Sequence, residues 1–203
     1  MKTNTAHRPR CENCGLYENI CICDFITQTT LDTRLTLLIH SKEIRKVTNT
    51  GRLAHLCLDN SALFIRGRKD IRWTEEEILP AGYEHRILFP TAREELKADT
   101  KVIDGKPLNL IVPDGTWGQA KKMVTAVPFL QNIKRIKLPR VPSNHHYVRK
   151  SLTEGGISTL EAIARAFGIL ENSEIQEQLE KVLFEMTEKF NRIRGYRLGE
   201  YTG

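Results

Sequence analysis

Five short apolar runs lie between residues 35 and 138 of the chain. The runs are LTLLI (35–39), ALFI (62–65), ILF (87–89), LNLIV (108–112) and IKRIKL (133–138). Runs of this length, rich in leucine and β-branched residues, predict strands of a largely buried sheet. Basic residues alternate with apolar ones in the last run, which favours an edge position for that strand.

Apolar residues at helical spacing separate and follow these strands. Residues 53–57 form one such face, on which Cys57 is expected to be ordinary core. Segments 160–170 and 175–193 predict two longer helices, the second ending at Gly195. Strands that alternate with helices predict an α/β fold, with a mostly parallel sheet and helices on both of its faces.

The segment WTEEEIL (73–79) carries the signals of a helix start. Thr74 is the predicted N-cap, and Glu77 stands at the capping-box position three residues later. Trp73, just before the cap, is placed to pack on Ile78.

The composition is that of a soluble globular chain, 40% hydrophobic and 28% charged over 203 residues. No run approaches the ~18 apolar residues of a membrane span, and the N-terminal residues lack the apolar stretch of a secretory signal. A cytoplasmic location without membrane association is therefore expected. Nothing in the sequence indicates an obligate protein partner.

The chain is basic, with a formal net charge of +6 and a pI of about 9.1. This balance favours a polyanionic partner such as RNA, because neutralised phosphates release counterions, although many proteins of this charge bind no nucleic acid. Basic clusters stand at the ends of apolar runs, including 66–69 and 134–140. The residues assigned to RNA binding are Lys42, Arg45, Lys46, Arg52, Arg149 and Lys150.

Four cysteines follow the pattern Cys11-x2-Cys14-x6-Cys21-x-Cys23. In a reducing compartment this density favours a metal over disulfides, with Zn²⁺ preferred, an iron–sulfur cluster as the competitor and unliganded thiols as the alternative. Four protein ligands leave no open position, so a structural role is expected. We therefore divide the chain into a basic tail with a metal-binding module (1–25) and an α/β domain (26–203).

The segment LNLIVPDGTWGQAKKM (108–123) runs from a predicted buried strand into a predicted helix. In open α/β sheets, ligands bind beyond the carboxyl ends of strands, which is where Asp114 stands. Gly115 lets a ligand approach the backbone, and Trp117 offers a flat ring for stacking. The alternative is that Asp114 caps the helix and Trp117 packs in the core, and the sequence alone favours neither.

Ser158 and Glu161 have the spacing of a second capping box, and this structural role is preferred for Glu161. Ser158 and Thr159 at a helix N-terminus also suit an anionic group, such as a cofactor carboxylate, held by backbone N–H groups. The two roles are compatible.

Four separated blocks resemble the DTW-domain family and follow its order over residues 8 to 165. They are RPRCENCGLYENICIC (8–23), TNTGRL (48–53), DGTW (114–117), and a last block of Arg140, Tyr147, Arg149 and STLEA (158–162). The first resembles the family's zinc-binding start, and the third resembles the Asp-x-Thr-Trp motif that names the family. One departure is Ser41, which follows His40 where many relatives carry proline.

The resemblance implies a tRNA-uridine aminocarboxypropyltransferase, which moves the 3-amino-3-carboxypropyl group of S-adenosylmethionine to N3 of a tRNA uridine. It also implies a SPOUT-like fold, in which a C-terminal knot can hold the cofactor. The candidate catalytic residues are Asp114, Thr116 and Trp117. The candidate cofactor-binding residues are Asp114, Gly115, Arg140, Ser158 and Thr159.

Asp114 is expected either to take the uridine N3 proton or to anchor the ammonium group of the donor. The anchoring role is preferred, because an unperturbed aspartate, with a pKa of about 3.9, is a weak base. Arg140 and Arg149 suit the donor carboxylate or an RNA phosphate, since a guanidinium forms bidentate hydrogen bonds with either group.

Two other functions remain compatible with the residues. A methyltransferase that uses S-adenosylmethionine on RNA would need the same pocket and the same partner, and would differ only in the donor carbon presented. A non-enzymatic, zinc-containing RNA-binding protein would need only the basic clusters and the cysteines. Affinity for S-adenosylmethionine distinguishes that binding protein from either enzyme.

Overall fold

The sheet is mostly parallel, as predicted. The computed structural model describes residues 9–67, 73–140 and 157–194. Its strands are β1 (Arg34–His40), β2 (Ser61–Arg66), β3 (Glu84–Leu88), β4 (Glu94–Glu95), β5 (Val102–Ile103), β6 (Lys106–Asp114) and β7 (Arg135–Lys137). The order across the sheet is β2-β1-β6-β3-β7-β4, with every pairing on this path parallel. Among these described strands, β5 alone pairs antiparallel, with β6.

The expected edge position of the basic run at 133–138 is wrong. β7 pairs with β3 on one side and with β4 on the other. The two-residue β4 forms the outer edge, and both of its glutamates are exposed. The alternation in β7 arises because Ile136 is buried in the core while Arg135 and Lys137 point to the other face.

Helices cover both faces of the sheet, which confirms the predicted layers. They are α1 (Ser41–Ile44), α2 (Gly51–Cys57), α3 (Glu75–Ile78), α4 (Trp117–Ala126), α5 (Pro128–Gln131), α6 (Thr159–Leu170) and α7 (Ser173–Arg194). On one face, α2, α6 and α7 pack in one core with β1 side chains such as Leu37 and Ile39. On the other face, α3, α4 and α5 pack in a second core around Leu38 and Ile111.

The predicted helix starts at Thr74 and Ser158 are confirmed, whereas the return bond from the Glu161 side chain to the Ser158 backbone stays a prediction. Thr74 and Glu77 form a reciprocal capping box at α3, and Trp73 packs against the core that contains Ile78. At α6, the Ser158 hydroxyl accepts a hydrogen bond from the Glu161 backbone N–H at 3.2 Å. The predicted stop of the last helix, at Gly195, lies outside the described residues. Within those residues, no helix is both long enough and apolar enough to cross a membrane.

The cysteine segment shares the core of the α/β layers. Cys14, Leu16, Ile20 and Ile22 are buried in the same cluster as the α6 and α7 side chains. The Lys189 ammonium of α7 also donates to the Cys21 carbonyl oxygen. A division of the chain near residue 25 therefore stays a prediction, and the apolar core extends across it.

The predicted C-terminal knot also stays a prediction, as does the SPOUT relationship. The chain between β7 and α6 passes through residues 141–156, which lie outside the described residues.

The central strand β6 carries one buried amide, Asn109, whose polar atoms are all engaged. Its Oδ1 accepts from the Thr36 hydroxyl at 2.7 Å, and its Nδ2 donates to the Ile78 carbonyl at 2.9 Å. The same Nδ2 lies 3.0 Å from His85 Nδ1. This amide fixes β1 and α3 to β6 and accounts for a polar residue inside an apolar run.

We predict that Asn109→Leu lowers the free energy of unfolding by about 3 kcal/mol, because it leaves the buried Thr36 hydroxyl and Ile78 carbonyl without partners. Urea unfolding measures the change. The control is Asn132→Leu, since Asn132 is exposed after α5 and a surface change is expected to stay within about 0.5 kcal/mol. A loss below about 1 kcal/mol for Asn109→Leu would contradict this role.

Candidate functional site

The candidate site forms where the parallel strands β1 and β6 end side by side. Ile39 is paired with Asp114 in the strand register, so His40 and Asp114 leave the sheet at the same edge. His40 Nδ1 accepts from the Lys42 backbone N–H at 3.2 Å and caps the short helix α1. Ser41, at the position of the family's proline, donates through its hydroxyl to the Gly67 carbonyl at 3.3 Å.

The carboxylate of Asp114 is buried and receives two hydrogen bonds. The Asn49 side-chain amide donates to Oδ2 at 2.6 Å, and the Thr159 hydroxyl donates to Oδ1 at 2.6 Å. The residue is 7% exposed. Burial raises the pKa of Asp114, and the two hydrogen bonds partly oppose this because they favour the ionised form. One carboxylate thus joins β6 to the loop before α2 and to the first turn of α6.

Asn49 and Thr50 extend this contact into the surrounding backbone. Asn49 Oδ1 accepts from the Arg52 backbone N–H at 3.1 Å. The Thr50 hydroxyl accepts from the Leu160 backbone N–H at 3.4 Å. The loop before α2 and the start of α6 are therefore fixed to each other as well as to Asp114.

Gly51 lets α2 approach Asp114 closely. A Cβ at this position would lie 2.6 Å from Asp114 Oδ2 and 3.3 Å from Thr159 Cγ2. Any larger residue would displace the carboxylate. Asn49 and Gly51 are not among the predicted site residues, although both belong to the TNTGRL block that carried part of the family resemblance.

The structural alternative for the DGTW segment is wrong on both counts. Thr116, rather than Asp114, is the N-cap of α4, and its backbone N–H donates to Gln119 Oε1 at 2.7 Å. Trp117 does not pack in the core, since it is 53% exposed. Its ring stacks on Phe89 with a centroid distance of 5.1 Å and a tilt of 31°.

Asp114 and Trp117 belong to opposite faces of the sheet. Asp114 contacts the α2 and α6 side, whereas Trp117 stacks on Phe89, which belongs to the core beneath α4. Gly115 joins them at the strand end, where a Cβ would lie 3.0 Å from Gln119 and 3.5 Å from His40 Cβ. The DGTW segment therefore passes from one face of the sheet to the other within four residues.

The N-terminus of α6 is partly satisfied by the protein itself. The backbone N–H groups of Leu160 and Glu161 already donate to Thr50 and Ser158. The Thr159 hydroxyl is used on Asp114. An anionic group held by Ser158 and Thr159 stays a prediction, with fewer free donors than a bare helix end offers.

The predicted basic residues are dispersed. Lys42, Arg45 and Lys46 are exposed on or beside α1, and Arg140 is exposed after β7. The guanidinium of Arg52 donates to the Cys14 carbonyl, so this side chain is turned toward the cysteine segment. Arg149 and Lys150 lie outside the described residues. RNA contacts by all of these residues stay predictions.

The four clustered cysteines are arranged to hold a metal ion. Their sulfur atoms all lie within 4.8 Å of one another, with Cys11 and Cys23 separated by 3.5 Å and Cys14 and Cys21 by 3.8 Å. A tetrahedron with metal–sulfur bonds of ~2.3 Å has edges of about 3.8 Å, which fits these separations. Cys57 is apart from this group; it is buried in the core, and burial raises its pKa to about 12.

Known proteins resemble this chain over most of its length. A protein "tRNA-uridine aminocarboxypropyltransferase 2" from Macaca fascicularis is 31% identical over 182 residues, covering 85% of this chain and 60% of that protein. A "tRNA-uridine aminocarboxypropyltransferase A" from Arabidopsis thaliana is 28% identical, covering 89% of this chain and 81% of that protein. The chain thus spans about 60% of the length of the mammalian relatives.

Among solved structures, the SAM-dependent rRNA:acp-transferase Tsr3 from Vulcanisaeta distributa has a TM-score of 0.49 and 20% identity, covering 80% of this chain and 79% of that one.

The family model of the DTW domain matches residues 8–191, which include the cysteines, the Asp114 contacts and both long helices. The chain therefore belongs to the DTW domain family.

Proposed function

We propose that this protein transfers the 3-amino-3-carboxypropyl group of S-adenosylmethionine to N3 of a uridine in tRNA. Membership of the DTW domain family and the names of its relatives support this proposal. The observation that carries it is the buried Asp114 carboxylate at the end of β6, held by hydrogen bonds from Asn49 and Thr159. A carboxylate is costly to bury, and buried ionisable groups at strand ends are typical of functional sites.

The transfer exchanges one bond for another. Uracil N3 attacks the γ-carbon of the aminocarboxypropyl chain, so an N3–carbon bond forms and the carbon–sulfur bond breaks. Sulfur keeps the electron pair and leaves as uncharged methylthioadenosine, while the N3 proton is released to solvent. The protein must therefore hold the donor bent, with the γ-carbon rather than the methyl group facing the base, and must receive the base out of its stack.

Asp114 anchors the donor's ammonium group in this proposal. The two hydrogen bonds that it receives favour the carboxylate anion and fix its direction. A buried anion offers a strong, directional partner to a cation that must leave water. The raised pKa of Asp114 is the property expected of a general base, so the base role is the alternative that a kinetic test must separate.

The other DGTW residues are assigned by position. Gly115 is assigned to donor contact because it lies between Asp114 and Thr116 at the strand end and carries no side chain that would hold a ligand away from the backbone. Thr116 offers a hydroxyl there, and the exposed face of Trp117 offers an apolar plane to the donor or to the base. The exposed guanidinium of Arg140 suits the donor carboxylate or a phosphate.

The cysteine site holds Zn²⁺ in this proposal, and its role is structural. Four thiolates close the coordination sphere, so no position is left for substrate. The protein acts in the cytoplasm, where thiols stay reduced.

Mass spectrometry of nucleosides tests the proposed reaction. Unmodified tRNA incubated with the protein and S-adenosylmethionine is expected to yield a uridine heavier by one aminocarboxypropyl group, with release of methylthioadenosine. A methylated nucleoside would instead establish the methyltransferase alternative. Absence of donor binding together with intact tRNA binding would favour the non-enzymatic RNA-binding protein.

We predict that Asp114→Asn raises the Kd for S-adenosylmethionine at least about tenfold, because the amide keeps the volume but removes the charge that pairs with the ammonium. Calorimetric titration gives the Kd, and transfer at saturating donor gives kcat. The matched control is Asp99→Asn, an exposed aspartate. An unchanged donor Kd with kcat abolished would overturn the anchoring role in favour of the base; wild-type values for both would overturn both roles.

We predict that Gly51→Ala lowers the free energy of unfolding by about 1–3 kcal/mol and weakens donor binding, because its Cβ would lie 2.6 Å from Asp114 Oδ2. Thermal unfolding and calorimetric titration measure the two effects. Gly118→Ala is the control for stability, since no atom lies within 4 Å of a Cβ built there. Wild-type stability together with wild-type donor affinity in Gly51→Ala would contradict the close packing.

We predict that the purified protein carries about one zinc per chain and that Cys14→Ser loses it, because a serine hydroxyl replaces a buried thiolate ligand. Elemental analysis by mass spectrometry measures the metal. Cys57→Ser also removes a buried thiol, but one outside the cluster, and is expected to keep its zinc. Iron in the wild-type protein, or zinc retained by Cys14→Ser, would contradict the assignment.

A further inference from the structure

The net positive charge of the chain equals that of one stretch of sequence. Residues 115–140 contain six basic side chains and neither an aspartate nor a glutamate. The whole chain has 31 basic and 25 acidic residues, so the remainder holds 25 of each and is neutral on balance. These 26 residues therefore account for the entire net charge of +6.

This stretch is α4, α5 and β7, and its cations are brought to one side of the molecule. The Arg135 guanidinium lies over the Phe89 ring, 5.7 Å from the ring centroid. Phe89 stacks in turn on Trp117, at 5.1 Å. Lys121 follows Trp117 by one turn of α4, a separation of about 6 Å between Cβ atoms. Arg135 and Lys121 thus flank Trp117 on the same face of the sheet.

Further cations extend this patch, which we call the α4–β7 surface. Lys121, Lys122 and Lys134 are exposed. Lys137 points to the same face as Arg135, and it is paired with Glu95 of the edge strand at 3.5 Å. The surface borders the DGTW segment, because α4 begins at Trp117.

The α1 cluster, made of Lys42, Arg45 and Lys46, contains an acidic residue. Glu43 stands between these cations, and the Lys46 ammonium is paired with it at 2.8 Å. No acidic residue interrupts the cations of residues 115–140, although the exposed glutamates of α3 (75–77) lie on the same face of the sheet and those of β4 (94–95) lie beside β7. A phosphate backbone that follows α4 and β7 therefore meets cations that are not separated by carboxylates of their own segment.

We propose that the α4–β7 surface binds the phosphate backbone of the tRNA substrate and so presents the target uridine at the DGTW segment. The proposal rests on the function proposed above. Lysine ammonium groups act as separate point charges and bind phosphates without sequence preference. The surface supplies affinity and orientation, and the strand end supplies the chemistry.

Fluorescence anisotropy with an unmodified tRNA transcript tests the α4–β7 surface over a range of salt concentrations. The double variant Lys121→Ala/Lys134→Ala is expected to weaken tRNA binding roughly tenfold near physiological salt. The slope of log Kd against log salt is expected to fall by about 2, because two phosphates are no longer neutralised by the protein. The Kd for S-adenosylmethionine, measured on the same preparations, is expected to stay at the wild-type value, which also shows that the variant is folded.

Two further variants make the test specific. Lys106→Ala/Lys181→Ala removes two exposed lysines from other parts of the fold and is expected to bind tRNA as the wild type does. Lys42→Ala/Arg45→Ala addresses the α1 cluster. A loss of affinity and slope in this variant, with Lys121→Ala/Lys134→Ala unchanged, would overturn the proposal, as would a wild-type protein that binds no tRNA. If the protein binds tRNA through Lys121 and Lys134 but transfers a methyl group, the proposed reaction is wrong. The proposal for the α4–β7 surface is then unaffected.

Discussion

The hydrogen bonds that Asn49 and Thr159 donate to the Asp114 carboxylate are the contact on which the site depends. They join three segments that are far apart in sequence at the point where β6 leaves the sheet. A buried carboxylate without such donors would be strongly unfavourable, so its position and its partners are fixed together. Gly51 completes the arrangement, because only hydrogen fits between α2 and Asp114 Oδ2.

The cysteine segment is connected to this contact through Arg52. The Arg52 guanidinium donates to the Cys14 carbonyl, and its backbone N–H donates to the same Asn49 amide that binds Asp114. Burial lowers the pKa of Arg52. The guanidinium occupies the space beside Gly15 that a side chain at that position would fill. The cysteine segment therefore supports the loop before α2, although no described contact of it reaches Asp114.

The strands, the long helices and the caps are predictable from the sequence, because their signals are local. The runs at 35–39 and 108–112 and the caps at Thr74 and Ser158 depend only on neighbouring residues. The edge position predicted for β7 is wrong, because the two-residue β4 beside it has no recognisable pattern. Asn49 and Gly51 carry no local signal of their roles, since these arise from contacts across 65 and 63 positions of sequence. Only the family resemblance of the TNTGRL block marked that loop.

A crystal structure of the protein with S-adenosylmethionine tests the anchoring role of Asp114 most directly. We expect the donor's ammonium nitrogen to lie within hydrogen-bond distance of the Asp114 carboxylate, about 2.6–3.2 Å, with the γ-carbon facing the open strand end at Gly115. A donor bound with its methyl group toward Gly115, or with its ammonium remote from Asp114, would contradict that role.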